Sequence, residues 1–456
     1  MCGYWGYPQI EKQLAGTEED EMGILLQNGR VFLDGELTYK DVVIGNGKIA
    51  KLGTGLKEEG HQVINLDGKI LSPGFIDMHV HLREPGFEAK ETIGTGTQAA
   101  AQGGFTAVAC MPNTRPVIDS AELVEQIQKQ AQEEGKVRVL PIGAITLREL
   151  GKELTDMDAL KAAGTVAFSD DGVGIQSSRM MMDAMTKAKE LDMAIVAHCE
   201  DNSLAHGGCV HEGNYSKANG LKGIPSEAES VQVARDILLA EATGAHYHVC
   251  HISAKESVRL VREAKARGAR VTAEVCPHHL VLCDEDIQGL DPNFKMNPPL
   301  RGREDQEALI EGLKDGTIDM IVTDHAPHTA EEKARGIELA PFGIVGLETA
   351  FPLLYTKLVE TGQFTIEEII QRMTRVPAEV FGLPWGRLEE GAPADVTVLD
   401  LDTEKAVNPE EFASKGKNTP FTGWKLKGWP VLTIVEGNIV WQADEFGIER
   451  GIFNEQ

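Results

Sequence analysis

His79 and His81 are separated by one residue in the stretch Gly74-Phe75-Ile76-Asp77-Met78-His79-Val80-His81-Leu82-Arg83-Glu84-Pro85-Gly86. Apolar residues at 75, 76, 78, 80 and 82 read as a buried β-strand. Side chains at i and i+2 of a strand share a face, so the two imidazoles project together, about 7 Å apart along the chain. That is close enough to hold one divalent metal, and imidazole suits zinc, iron or nickel. A bare His-x-His is more often two histidines packed in a core, so the rest of the chain has to supply the other ligands.

Further metal-type side chains follow short apolar runs elsewhere. Asp170 and Asp171 follow Phe168-Ser169, His198 follows Ala197, His251 follows Cys250, and Asp324 follows Val322-Thr323. Four histidines and two aspartates can hold two divalent ions with one carboxylate between them. Such a pair, ~3.5–4 Å apart, generates hydroxide at neutral pH and polarises a carbonyl. Zinc fits N/O ligands of this kind, with manganese and cobalt as alternatives. Either Asp170 or Asp171 can serve as the shared carboxylate. An acid at the position of Asp324 is placed to accept a proton and pass it to a leaving nitrogen. Arg83, two residues past His81, stays on the same face of an extended chain, and its planar fork suits a carboxylate.

The elements that must position these groups are legible as a change of period. Between 22 and 73 the period is close to two, and Asn28-Gly29 and Asn46-Gly47 between apolar runs predict hairpins. From 74 to about 385 short apolar runs at 75–80, 105–110, 137–142, 166–168, 193–197, 247–249, 271–275 and 319–322 alternate with helical stretches at 120–134, 178–191, 226–242, 257–267 and 303–314. Eight such repeats predict a closed (β/α)8 TIM-type barrel, with an open doubly wound sheet as the alternative. The metal-type side chains all follow the carboxyl ends of strands, where barrels place their active sites. From 386 to 456 the hairpin pattern returns, with Gly437-Asn438 as a turn. The segments 22–73 and 386–456 are expected to pair into one small β-sandwich domain. Residues 1–21, with an acidic run at 18–21, are expected to be an extension without a fold of its own.

The 456 residues are too many for one small core, in keeping with a large domain and a lesser one. No apolar run approaches the ~20 residues that span a bilayer, and no signal-like segment opens the chain. A net charge of −27 argues against a nucleic-acid partner. Seven cysteines without a Cys-x-x-Cys pair predict reduced thiols. The expected location is the cytoplasm.

The motifs His79-Val80-His81-Leu82-Arg83-Glu84-Pro85-Gly86, Met111-Pro112-Asn113-Thr114, Phe168-Ser169-Asp170-Asp171-Gly172, His198-Cys199-Glu200-Asp201, Cys250-His251-Ile252-Ser253, Lys295-Met296-Asn297-Pro298-Pro299-Leu300-Arg301 and Thr323-Asp324-His325-Ala326-Pro327-His328 resemble those of the amidohydrolase superfamily, and within it the bacterial type I dihydroorotases. The resemblance covers about 22–445. It implies one metal on His79, His81 and Asp324, a second on His198 and His251, and Asp171 as the bridge. Asp324 is then also the proton shuttle. Arg83, Asn113 and His328 would hold a substrate carboxylate, with His81 beside them. Asn297 would contact the ring amide, and the Phe342-Gly343 backbone would close over the ring.

The implied reaction is reversible closure of N-carbamoyl-L-aspartate to L-dihydroorotate plus water, by a hydroxide bridging two metal ions, in pyrimidine synthesis. Hydantoinases, dihydropyrimidinases and allantoinases are the nearest rivals, but those usually bridge their metals with a carboxylated lysine near the fourth strand. Here the nearest lysine, Lys161, precedes that strand. A non-catalytic dihydroorotase-like partner of aspartate transcarbamoylase is the non-enzyme alternative; such chains lack metal ligands, and this one keeps six. The resemblance also carries a homodimer, and an association with aspartate transcarbamoylase, as partner expectations. His246 and His248 are read as structural, His278, His279 and His325 as supports for the ligands, and 330–341 as a lid.

Overall fold

The computed structural model describes residues 23–447. The extension expected at 1–21 and the final stretch at 448–456 lie outside the described residues. Eight parallel strands close into a barrel in chain order: Phe75–Val80, Phe105–Cys110, Arg138–Pro141 continuing through Gly143–Ala144, Phe168–Ser169, Ala194–Ala197, His246–Val249, Val271–Val275 and Met320–Ile321. Closure runs through a parallel bridge between Val80 and His325, where His81 N donates to His325 O at 2.9 Å. The strands are buried on both faces, as a parallel sheet sheathed by helices requires. The covering helices turn one apolar stripe inward; Lys255–Ala266 buries Val258, Val261 and Ala264 and leaves its charged residues outside. Inside the barrel, Ile76, Met78, Ala109, Ile142, Val196 and Val322 pack together beneath the mouth.

Strands from both ends of the chain share a second, eight-stranded sheet. The junction is Ile70–Pro73 against Val396–Asp400, antiparallel, with Leu71 opposite Val398. Two turns differ from expectation. Asn28 (φ 58°) and Gly29 form a bulge inside one long strand, Gly23–Leu33, and the chain reverses instead at Asp34-Gly35. The apolar flanks of Asn28 continue in one direction because Gly23–Gln27 pairs with His61–Asn65 while Arg30 and Val31 pair with Ile70 and Leu71. The C-terminal hairpin turns at Glu436-Gly437, one residue earlier than Gly437-Asn438, since both take positive φ and Val435 pairs with Asn438. Asn46-Gly47 turns as expected.

Candidate metal centre and active site

Four imidazoles and two carboxylates converge at the carboxyl end of the barrel. His79 Nε2 lies 3.5 Å from Asp171 Oδ1 and 3.6 Å from Asp324 Oδ1. His81 Nε2 lies 3.1 Å from Asp324 Oδ1 and 3.6 Å from Asp171 Oδ2. On the far side of Asp171, His251 Nε2 and His198 Nδ1 approach Oδ1 at 3.8 and 3.9 Å. Asp171 is thus common to both pairs of histidines. The adjacent Asp170 faces away, accepting the Ile145 and Thr146 amides at 2.8 and 2.9 Å and the Thr146 hydroxyl. These donors turn Asp170 out of the cluster and leave Asp171 inside it.

Strand parity delivers only part of this set. Arg83 (φ 64°), His251 (φ 28°) and Asp324 (φ 49°) all stand in the left-handed region just past their strands. Non-glycine residues reach that region at a cost of order 1–3 kcal/mol each, and such strain collects at functional sites. Arg83 therefore reaches the site through a turn, in which Phe87 N donates to Arg83 O at 3.0 Å, and not by continuing the strand.

The donor set fits divalent cations. His79 Nε2 and Asp171 Oδ1 are buried and have no hydrogen-bond partner; leaving such an atom unsatisfied costs about 1–3 kcal/mol. Burial opposes charge on His79, yet the carboxylates of Glu274, Asp171 and Asp324 overcome it and raise the ring to about 10. Burial likewise works against ionised Asp171 and Asp324, but the surrounding imidazoles hold both below the usual carboxylate range. The pocket is built for positive charge. Each group of His79, His81 and Asp171, and of Asp171, His198 and His251, brings its ligand atoms within 4.8 Å of one another.

Beneath the ligands lies a residue that sequence reasoning missed. Glu274 Oε1 is 2.7 Å from His79 Nδ1, and its Oε2 is 3.0 Å from His248 Nε2. His248, read from sequence as structural, is therefore tied to a ligand through one carboxylate. The available signal was an acid in the middle of the apolar run Val271–Val275, since a buried charge requires partners. His246 Nε2 contacts the Thr272 hydroxyl at 2.8 Å. His325 pairs with buried Glu91 at 3.2 Å, and its carbonyl holds the His81 amide. His279 meets Pro298 O at 2.9 Å, and His278 packs against His279 with ring centres 4.3 Å apart.

Arg83 Nε donates to Pro327 O at 3.2 Å, and its Nη2 is 3.3 Å from His328 Nε2. Burial pushes the guanidinium down to about 10, which leaves it charged at neutral pH. Burial beside Arg83 and Lys90 pushes His328 down to about 2, so that ring is neutral. Asn113 sits between ligands, with Oδ1 3.0 Å from His81 Nδ1 and Nδ2 donating to Asp171 Oδ2 at 3.0 Å. Asn297 Nδ2 donates to Glu200 Oε2 at 3.0 Å. The Phe342 carbonyl accepts from His328 Nε2 at 2.8 Å, and Gly343 N donates to Lys295 O at 3.0 Å. The expected lid is fastened: Lys333 is buried, and its Nζ donates to the carbonyls of Lys295, Pro341 and Gly343 at 3.2, 3.1 and 3.0 Å. Lys161 lies at the opposite end of the barrel, where it donates to Leu191 O before the fifth strand begins.

The chain as a whole is similar to known proteins. The family model described as Dihydro-orotase-like matches residues 68–257, and that of the Amidohydrolase family matches 341–441. A dihydroorotase from Halalkalibacterium halodurans is 62% identical over 425 residues, 93% of this chain and 99% of that protein. Another from Bacillus cytotoxicus is 61% identical over 424 residues, with the same shares. An L-hydantoinase (dihydropyrimidinase) from Arthrobacter aurescens superimposes with a TM-score of 0.84 at 27% identity, over 92% of this chain and 96% of that one. A dihydropyrimidinase from Brevibacillus agri, at 23% identity and TM-score 0.82 over 92% and 95%, shares the fold. Among the described residues no helix is long and apolar enough to cross a membrane.

Proposed function

The chain belongs to the dihydroorotase family of the amidohydrolases, and from that premise we propose how its mouth-of-barrel cluster performs the reaction. The reaction is the reversible cyclisation of N-carbamoyl-L-aspartate to L-dihydroorotate plus water, a step of pyrimidine synthesis. His79, His81 and Asp324 would hold one divalent ion, His198 and His251 a second, and Asp171 both. Zinc suits this mixture of imidazole and carboxylate. Ions held there would activate water at neutral pH and polarise the ring carbonyl.

The chain's own groups do the rest. Arg83 grips the carboxylate of dihydroorotate and orients the ring amide over the cluster, and the neutral His328 joins it by turning its Nε2–H from the Phe342 carbonyl to the substrate. Asp324, ionised at neutral pH, takes the proton of the attacking water. It returns that proton to the ring nitrogen as the C–N bond breaks, and the reverse order closes the ring. Asn297 faces the ring amide, and Phe342-Gly343 closes the pocket over it. Asn113 reaches the substrate only by exchanging one of its bonds to His81 or Asp171.

The observation that carries this reading is a half-buried guanidinium set beside the ligand cluster, which a neutral hydantoin ring would not need. Asp171 at the centre, with Lys161 at the far end of the barrel, weighs against a hydantoinase, dihydropyrimidinase or allantoinase that relies on a carboxylated lysine. Six filled ligand positions weigh against a non-catalytic partner chain. Within the segments 22–73 and 386–456, the described residues 23–73 and 386–447 would make up the β-sandwich unit, and 74–385 the barrel. A cytoplasmic location follows from the reaction. A homodimer and docking onto aspartate transcarbamoylase rest on the family likeness, and sedimentation with and without that transferase tests both.

The deciding experiment compares hydrolysis of dihydroorotate, dihydrouracil and allantoin by absorbance. Dihydroorotate is expected to be opened far faster. Preference for either uncarboxylated ring would overturn the assignment.

A further inference from the structure

The carboxylate side of the site is held from outside the barrel by a short segment of the C-terminal part, 414–418. Asn418 is 4% exposed and spends its side chain on the walls of the pocket. Its Oδ1 accepts from His328 N at 3.0 Å. Its Nδ2 donates to Ala326 O at 3.2 Å and to Gly343 O at 3.0 Å. Its own carbonyl accepts from Val345 N at 3.0 Å. One side chain thus joins the loop after the eighth strand to the loop carrying Phe342-Gly343. At the other end of the segment, the Ser414 hydroxyl and the Lys415 amide donate to Glu91, the partner of His325.

Between these anchors, Gly416 is pressed against Pro327. A Cβ added to Gly416 would stand 2.6 Å from Pro327 Cβ, 2.8 Å from Asn418 Oδ1 and 2.9 Å from Pro327 Cα. No left-handed φ applies at this glycine, so the constraint is one of space. Pro327 is also the residue whose carbonyl receives Arg83 Nε. The path from segment to guanidinium is therefore two contacts long, and the path to His328 is a single hydrogen bond.

We infer that segment 414–418 is a positioning clamp for substrate carboxylate recognition, with Asn418 setting His328 and the Gly343 loop, and Gly416 setting Pro327 and through it Arg83. This rests on Arg83 and His328 binding the carboxylate. None of the segment's residues touches the metal ligands in the contacts described, so its effect falls on substrate binding and not on the chemical step. The site is completed by a segment from the C-terminal part of the chain, whose flanking Phe412 and Phe421 pack among residues of the barrel's loops.

The test is steady-state kinetics of dihydroorotate hydrolysis by Asn418→Ala and Gly416→Ala, with orotate as a competitive probe of carboxylate binding and metal content measured alongside. Removing Asn418's three side-chain bonds is expected to raise KM and weaken orotate inhibition by about tenfold, with kcat and metal content close to wild type. Gly416→Ala deletes no hydrogen-bonding group and probes the same path by displacing Pro327 and Asn418 Oδ1, so it decides the matter if Asn418→Ala does not fold. An unchanged KM and orotate inhibition in a folded variant overturns the clamp, as does a fall in kcat and metal content with KM unaltered. Failure of the underlying assignment is distinguishable: wild-type enzyme would then show no orotate inhibition at all.

Discussion

His79 Nδ1 and Glu274 Oε1 stand 2.7 Å apart with both side chains fully out of solvent. A carboxylate only accepts, so Nδ1 is the donor, and the pairing aims Nε2 at Asp171 and Asp324. Glu274 also engages His248, so it cannot swing away from His79 without losing a second partner. Partners of this kind fix ring orientation and raise ligand basicity. Glu274→Gln keeps the volume and removes the charge. Its expected effect is a loss of metal affinity of about 10–100-fold, read by titrating chelator-treated protein with zinc. Wild-type affinity in that variant would show that the contact is packing alone.

Removal of metal should silence the enzyme without unfolding it. The barrel core is packed from apolar side chains, so chelated protein is expected to keep its far-ultraviolet dichroism. Turnover should vanish and return with zinc, at close to two ions per chain, as expected of a paired site. Elemental analysis after reconstitution checks the number; a single ion would remove the shared role given to Asp171.

Much of this site was legible from residue types at strand ends, because eight repeats place those ends together. The parity of His79 and His81 predicted their convergence, and their ring centres are 5.6 Å apart. Parity failed where the strand stopped: Arg83, His251 and Asp324 reach the site through left-handed backbone. Nor does spacing distinguish Asp170 from Asp171; the amides of Ile145 and Thr146, distant in sequence, do so. Glu274 was missed because its partners come from two other strands. Asn28-Gly29 misled because a bulge and a hairpin ask for the same dipeptide, and pairing with two further strands chose the bulge.

Asp324→Asn should retain fold and metal while losing turnover. The substitution keeps size and an oxygen ligand but removes the base. General acid–base groups contribute typically 10²–10⁴-fold, so a fall in kcat of about that order is expected, with KM little changed. Stopped assays of dihydroorotate hydrolysis check it. A rate near wild type would contradict the proton-carrying role.

Glu348 makes stability depend on pH. Burial and the neighbouring Glu91 carboxylate raise it from 4.5 to about 8, although the Ala413 and Ser414 amides pull the other way. Between pH 4.5 and about 8 the folded protein holds a proton that the unfolded chain has lost. The contribution is therefore fully present below the lower value and disappears as pH rises through the upper one. Wild-type Tm should fall across that window more steeply than that of Glu348→Gln, which carries no titrating proton. Parallel Tm profiles would refute the shift.

Arg83 should govern which ring is accepted. Its Nε is occupied by Pro327 O, which fixes the plane of the guanidinium and leaves its outer nitrogens beside His328. Charged hydrogen bonds contribute about 1.5–3 kcal/mol, so Arg83→Met should raise KM for dihydroorotate roughly tenfold or more. Arg83→Lys should restore charge but not the planar fork, and so recover only part of the loss. Any hydrolysis of dihydrouracil, which has no carboxylate to lose, should be unaffected in both variants. Steady-state comparison of the two substrates separates the outcomes. An equal decline on both would mean that Arg83 supports the metal cluster electrostatically, through Asp171 and Asp324, and does not read the substrate.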